Sequence, residues 1–154
     1  MIANKLDFSL KLIEEKGKIY LRLSGFSMFP FLKDGDVALI KKVEISALKT
    51  GDVIVFKLDQ KMIAHRLMEI KKNGEHYEIT TKGDTSKNND PKFTELNYVG
   101  KITSFNRKEK NIKITTRFYE FIGVFIVKTS WLNTPFFVLN KRLWRRIWII
   151  RKKY

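Results

Sequence analysis

A succession of short β-type segments, separated by glycine-containing turns, occupies residues 18–116 of the chain. Each segment alternates apolar and polar residues or is rich in β-branched ones, which is typical of strands. Turns are marked by Asp34-Gly35, Thr50-Gly51, Asn73-Gly74 and Lys82-Gly83. The predicted strands cover residues 19–23, 37–40, 53–56, 62–70, 77–81, 99–105 and 112–115. This pattern predicts a mainly β fold.

Helical patterns flank the β-rich region on both sides. The spacing of Leu6, Leu10 and Ile13 predicts a short N-terminal helix that Gly17 ends. The predicted helices cover residues 6–16, 118–128 and 135–151, the last one opened by a proline. The chain is too short for two full domains. We therefore expect one domain over residues 1–117 and an amphipathic helical tail over residues 118–154.

The chain is strongly basic, with 31 Lys and Arg against 16 Asp and Glu and a net charge of +15. Such a surface attracts polyanions. No acidic residue follows Glu120, and the tail places Trp144 and Trp148 beside an aliphatic stripe with Arg on the other face. A helix of this kind can lie in a membrane interface, so we expect an anionic membrane surface as a partner. Nucleic acid is not expected, because the tail lacks helix-turn-helix or zinc-finger spacing.

The composition also excludes several classes of protein. The chain has no cysteine, which excludes a disulfide framework, a thiolate zinc site and a cysteine nucleophile. Residues 1–10 lack the long apolar core of a secretory signal, and the most apolar stretch, residues 118–139, is interrupted by charges. We expect a protein that is not secreted and that lies peripherally on a membrane, facing the cytoplasm. No metal or organic cofactor is implied.

The segment around Ser27 carries the clearest chemical pattern. A glycine shortly before an exposed serine lets the backbone turn tightly at a nucleophile, and a backbone N–H there can face a developing oxyanion. Ser24, Gly25 and Met28 are the candidates for oxyanion or substrate contacts, beside the backbone N–H of Ser27 itself. Taken alone, this segment also fits an ordinary turn.

An ordered series of motifs extends this pattern through the β-rich region. In chain order they are Ser24-Gly25-Phe26-Ser27-Met28, Asp34-Gly35-Asp36, Gly51-Asp52, Ala64-His65-Arg66-Leu67, Thr81-Lys82-Gly83-Asp84, Asp90-Pro91 and Tyr98-Val99-Gly100. The series resembles the signal peptidase I superfamily, which also includes the self-cleaving repressors of the SOS response. The resemblance covers residues 18–105. It implies a bent β-sheet peptidase domain that cleaves a leader or signal segment from a precursor polypeptide bound in extended conformation.

The resemblance also assigns roles to individual residues. It implies that Ser27 is the nucleophile, that His65 is its general base, and that Asp84 or Asp90 supports the histidine. A histidine at the base position is similar to the endoplasmic-reticulum and archaeal branch, whereas the other branches use lysine. Imidazole can take the serine proton near neutral pH and return it to the leaving amine.

Three other titratable residues compete with His65 for the role of base. Lys61 and Lys82 are the nearby lysines that could replace it, and we expect both to face solvent. The second histidine, His76, follows Gly74 in a turn and is interpreted as a solvated loop residue.

Two alternative functions stay open. Phe26 separates Gly25 from Ser27, which is the spacing of the repressor branch, so the chain could be a self-cleaving regulator. No Ala-Gly or Cys-Gly cleavage dipeptide supports that alternative. The net charge alone would also fit a non-enzymatic protein that binds lipid or nucleic acid.

Overall fold

Eight antiparallel strands form one curled sheet in residues 5–114 and 117–129, the part of the chain that the computed structural model describes. The strands are β1 (Lys18–Arg22), β2 (Val37–Lys41), β3 (Val53–Leu58), β4 (Lys61–Asn73), β5 (His76–Lys82), β6 (Phe93–Thr94), β7 (Tyr98–Arg107) and β8 (Lys110–Lys113). Two α-helices flank them, α1 (Lys5–Lys16) and α2 (Arg117–Lys128), together with short 3-10 turns at Ile45–Ala47 and Glu95–Asn97. The predicted mainly β fold with a bent sheet and a short N-terminal helix is confirmed.

The order of the strands is β1-β2-β7-β3-β4-β5-β6, and β8 adds to β7. The long strand β4 changes neighbours along its length, because its first half pairs with β3 while its pairing with β5 begins only at Arg66. Among the described strands, the first half of β4 therefore has one unpaired edge, and so does β1. Such edges are able to accept a further strand.

The central strand β3 is buried on both faces, because two hydrophobic cores lie on opposite sides of it. Val53 and Val55 join the larger core, which also contains Ile13 of α1 and Leu32 of the loop after β1. Ile54 points the other way and joins a smaller core under β4 and β5. This arrangement follows from the alternation of side chains along a strand.

Helix α2 packs its inner face against the turn before β3 and against β4. Gly123 and Gly51 meet backbone to backbone: a Cβ on Gly51 would lie 2.7 Å from the Gly123 carbonyl carbon. Tyr119 meets Phe31 edge to face, with ring centroids 5.7 Å apart. None of the helices in residues 5–114 and 117–129 has the length and apolar character needed to cross a bilayer.

The helix predicted over residues 135–151 lies outside the described residues. The division of the chain near residue 117 into a domain and a tail stays a prediction.

Candidate active site

Ser27 lies in the loop that connects β1 to β2, and two carboxylates of that loop, Asp36 and Asp34, hold it in shape. Asp36 is 3% exposed, accepts two hydrogen bonds from Arg107 at 2.9 and 2.6 Å, and accepts a third from the backbone N–H of Lys33. Asp34 accepts a hydrogen bond from the N–H of Gly25 at 2.9 Å. Met28, directly after the serine, is buried in the larger core. The backbone around Ser27 is therefore fixed on both sides.

Thr85 fastens this loop to the segment that follows β5. Its N–H donates to the Ser27 carbonyl at 2.9 Å, and its hydroxyl lies 3.1 Å from the carbonyl oxygen of Phe26 and 3.2 Å from that of Ser27. The threonine is 3% exposed, so water competes little for these contacts. Thr85 thus sets the position of Ser27 relative to β5, although the motif series had given it no role.

His65 lies on β4 and is paired with a carboxylate. Its Nδ1 is 2.7 Å from Oδ2 of Asp90, and the two side chains are only 11% and 19% exposed. The same oxygen accepts a hydrogen bond from the Thr81 hydroxyl at 2.6 Å, and the Asp90 N–H donates to the Thr81 carbonyl. An ionised carboxylate only accepts, so Nδ1 carries the proton of the neutral ring. That tautomer leaves the lone pair on Nε2, which a general base requires.

The second ring nitrogen of His65, Nε2, and the backbone of Ser27 both lie beside Gly83. A Cβ on Gly83 would lie 3.1 Å from His65 Nε2 and 3.1 Å from the Ser27 carbonyl oxygen. Both atoms are thus close to the same point in space, and the missing side chain of Gly83 lets them approach. Residues 38 positions apart in the chain therefore meet at one place in the fold.

Asp84 is engaged elsewhere, with Arg66. The guanidinium donates to both carboxylate oxygens, at 2.8 and 2.7 Å, and these two side chains are 1% and 2% exposed. Arg66 also donates to the Gly51 carbonyl at 2.8 Å and lies over the Phe31 ring, 4.7 Å from its centroid. Of the two predicted carboxylates, the structure brings Asp90 to His65 and joins Asp84 to the neighbouring arginine.

The competing bases lie in different surroundings. Lys61 is exposed at the start of β4, as expected, but Lys82 is buried, which corrects the expectation that it faces solvent. Burial lowers the pKa of Lys82, and the nearby Asp84 carboxylate offsets part of this effect. Lys82 pairs directly with Arg66, so its side chain leaves the sheet on the face of Arg66 and not on that of His65. His76 is exposed and lies 2.6 Å from Glu95.

A cavity of about 350 Å³ opens between the Ser27 loop and the first half of β4. Ser24 and Gly25 are exposed at its rim, and Met28 contributes to its apolar floor. Residues 62–64 of β4, which carry the unpaired strand edge, form the opposite wall. The cavity thus joins the predicted nucleophile to a strand edge that can bind an extended peptide. Within the described residues, no group of three or more His, Asp or Glu side chains is arranged to hold a metal ion.

Two comparisons with known proteins cover this region. The family model described as Peptidase S24-like matches residues 2–103, a range that includes Ser27, His65, Asp84 and Asp90. The chain is also similar to the protein named Signal peptidase I W of Bacillus subtilis (strain 168), with 39% identity over 66 residues. Those residues make up 42% of this chain and 34% of the relative, so the match spans about a third of that protein.

Proposed function

We propose that this chain, which belongs to the Peptidase S24-like family, is a serine endopeptidase that removes a leader or signal segment from a precursor polypeptide. One observation carries the proposal: His65 has Nδ1 on a carboxylate, and its Nε2 lies beside Gly83 at the place where the Ser27 carbonyl also approaches. A histidine oriented in this way is equipped to activate a serine. The similarity to a protein named signal peptidase supports the choice of a precursor as substrate.

The proposed reaction is an acyl transfer in two steps. His65 Nε2 takes the proton of the Ser27 hydroxyl as Oγ attacks the scissile carbonyl, and Asp90 stabilises the imidazolium that forms. The tetrahedral intermediate collapses, the C–N bond breaks, and the imidazolium gives its proton to the leaving amine. Water, activated by the same nitrogen, then attacks the acyl-enzyme and releases Ser27. Thr81 supports this chemistry indirectly, since its hydroxyl holds the Asp90 oxygen that faces the histidine.

The negative oxygen of the intermediate needs hydrogen-bond donors. The backbone N–H of Ser27 is the donor that we propose, because the contacts of Thr85 and Asp34 fix the backbone on both sides of it. Ser24 is exposed at the rim of the same cavity and is proposed as a second donor. A donor fixed in advance stabilises developing charge without first having to reorient.

The substrate would bind as an extended strand between the Ser27 loop and β4. The unpaired edge over residues 62–64 supplies main-chain donors and acceptors, and Met28 supports a small apolar pocket beneath the serine. The resemblance to signal peptidases implies small side chains before the cut. We also propose a peripheral membrane location that faces the cytoplasm, because anionic lipid of the cytoplasmic leaflet attracts a chain with a net charge of +15.

A peptide library with small-residue cleavage sites tests the proposal. The full chain should cut such peptides, and Ser27→Ala and His65→Ala should each lower kcat by at least about 10³-fold. His76→Ala is the matched control for the histidine, since it removes an exposed imidazole and should leave kcat unchanged. Full activity in His65→Ala would reject His65 as the base, and Lys82→Met would then test the buried lysine.

The self-cleaving alternative is favoured by one observation, the Phe26 that separates Gly25 from Ser27. It predicts that the purified chain shortens with time at a rate independent of its concentration. Mass spectrometry of wild type and Ser27→Ala distinguishes the two functions. A stable wild-type chain that cuts added peptides supports the endopeptidase, whereas shortening that Ser27→Ala abolishes supports the self-cleaving regulator.

A further inference from the structure

We propose that the outer face of α2, formed by Phe121, Val124 and Phe125, binds an anionic lipid surface. These side chains are 70%, 36% and 53% exposed. They follow one another at the spacing of one helical stripe, and the rings of Phe121 and Phe125 stack with centroids 6.5 Å apart. Single exposed apolar residues are common on soluble proteins, but a continuous stripe along a short helix marks a contact surface.

The opposite face of α2 already has a protein partner. Tyr119 packs on Phe31, and Gly123 lies against the backbone of Gly51. The helix is therefore apolar on two sides, and the sheet covers only one of them. The uncovered side carries the three exposed apolar side chains, with Glu120 and Lys128 exposed near its two ends. A second apolar environment is therefore expected to cover the outer face of α2.

The net charge of the chain matches anionic lipid, although one acidic residue, Glu120, is exposed one turn before Val124. Lys128, one turn beyond Phe125, is exposed at the end of the stripe. The sequence from residue 130 to 154 then contains seven Lys or Arg and no Asp or Glu, together with Trp131, Trp144 and Trp148. Apolar and aromatic side chains that enter the interface, with basic residues beside them, are the combination that binds anionic bilayers.

A second copy of the chain fits the same face less well. A stable protein interface buries roughly 800 Å² on each partner, far more than three side chains of a 12-residue helix can cover. Two copies that each carry a net charge of +15 also repel one another. An anionic bilayer attracts the basic chain instead of repelling it. It also contacts whatever protein surface lies beside α2, so it does not depend on the small area of the helix alone.

Lipid binding at α2 would take place on a helix that packs against the surroundings of the proposed active site. The inner face of α2 contacts Phe31 in the loop of Ser27, and Gly123 lies close to Arg66, the residue next to His65. A bilayer bound at the outer face therefore holds the catalytic residues at a fixed distance from its surface. The inference concerns binding and is testable whether or not the chain cuts peptides.

The absence of cysteine makes a direct test possible. Two variants of the full chain each carry an environment-sensitive fluorophore on a single cysteine. Val124→Cys places it on α2, and Leu96→Cys places it on the 3-10 turn Glu95–Asn97, where Leu96 is 87% exposed. Vesicles of phosphatidylcholine with phosphatidylglycerol should shift the probe at position 124 to shorter wavelength, and quenchers attached to lipid chains should reach it. The probe at position 96 should not respond. Phosphatidylcholine alone or high salt should weaken the response.

A second measurement uses vesicle sedimentation of unlabelled protein. Phe121→Ser combined with Phe125→Ser should lower partitioning onto anionic vesicles at least about tenfold, while Leu96→Ser should not change it. Unchanged partitioning of the double variant would assign lipid binding to another part of the chain and overturn the proposal. A probe at position 124 that is already shielded without lipid would also overturn it. Shielding that rises with protein concentration would indicate a second copy, and shielding independent of concentration would indicate the chain's own tail.

Discussion

Replacing Asp84 and Asp90 in turn by asparagine should separate stability from catalysis. The two substitutions make the same chemical change six residues apart, yet the contacts of the two carboxylates differ. Asp84 is bound to a buried guanidinium, whereas Asp90 is bound to an imidazole and a hydroxyl. The first change therefore acts mainly on the folded state and the second on the proposed base.

Asp84→Asn leaves the charge of Arg66 buried without its counterion. Breaking a buried ion pair by removing one partner costs about 3–5 kcal/mol. The lower figure applies here, because Gly51 and the Phe31 ring still contact the guanidinium. At a urea m value of about 2 kcal/mol per molar, a loss of about 3 kcal/mol lowers the unfolding midpoint by about 1.5 M. Below the transition, kcat should stay within about tenfold of wild type.

Asp90→Asn keeps the shape of the side chain but removes the charge that stabilises the imidazolium of His65. The free energy of unfolding should fall by no more than about 1 kcal/mol, because the asparagine oxygen can still accept both hydrogen bonds. We expect kcat on a cleavable peptide to fall by about 10²- to 10⁴-fold. Asp59→Asn, at an exposed turn, is the matched control for both measurements.

Two assays are needed. Circular dichroism monitors urea unfolding, and steady-state peptide cleavage gives kcat. The reasoning is refuted if Asp84→Asn unfolds at the wild-type midpoint but loses activity while Asp90→Asn remains active. That result would make Asp84 the partner of the base. Large and equal losses of kcat in both variants, with unchanged midpoints, would likewise contradict the assignment of Asp84 to the fold.

Three further predictions concern other parts of the structure. Thr85→Val should lower kcat about tenfold by removing the hydroxyl beside the nucleophile's carbonyl, and Thr85→Ser should restore it. Gly51→Ala should lower Tm by about 4–8 °C more than Gly74→Ala in thermal unfolding. Both glycines have positive φ, but only a Cβ at Gly51 meets the backbone of α2. Hydrogen bonds with His76 and, secondly, with the Tyr77 amide lower the pKa of Glu95 from 4.5 to about 2. The resulting stabilisation is complete above pH 4.5 and is lost as the pH falls towards 2, so Glu95→Gln should flatten the acid-unfolding curve in that window.

The strands could be predicted where alternation and turn residues coincide. The predicted strands over residues 37–40 and 53–56 lie within β2 and β3, and the predicted first helix matches α1 to within one residue. Strand β6 was missed because a two-residue strand has no period of its own and forms only through its pairing with β5. The buried state of Lys82 was missed for a related reason, since burial at the end of β5 depends on distant segments.

The order of motifs singled out Ser27 and His65, but it could not choose between Asp84 and Asp90. Both carboxylates follow β5, and sequence spacing alone gives either of them access to the histidine. The choice depends on side-chain direction, because adjacent residues of a strand point to opposite faces. His65 and Arg66 are adjacent on β4, so their carboxylate partners must lie on different sides of the sheet. Thr85 carried no sequence signal, since its role depends on contacts with a loop that lies 58 residues earlier.

The hairpin between β4 and β5 divides the candidate site along the chain. Ser27 and His65 precede its exposed turn at Gly74-Glu75, whereas Asp90 and Thr85 follow it. A cut at that turn would give one fragment with the proposed nucleophile and base and another with Asp90 and Thr85. Neither fragment would contain a complete site, and β4–β5 pairing would be their means of reassembly. The fold therefore offers a split protein whose proposed peptidase activity would report whether its two halves have been brought together.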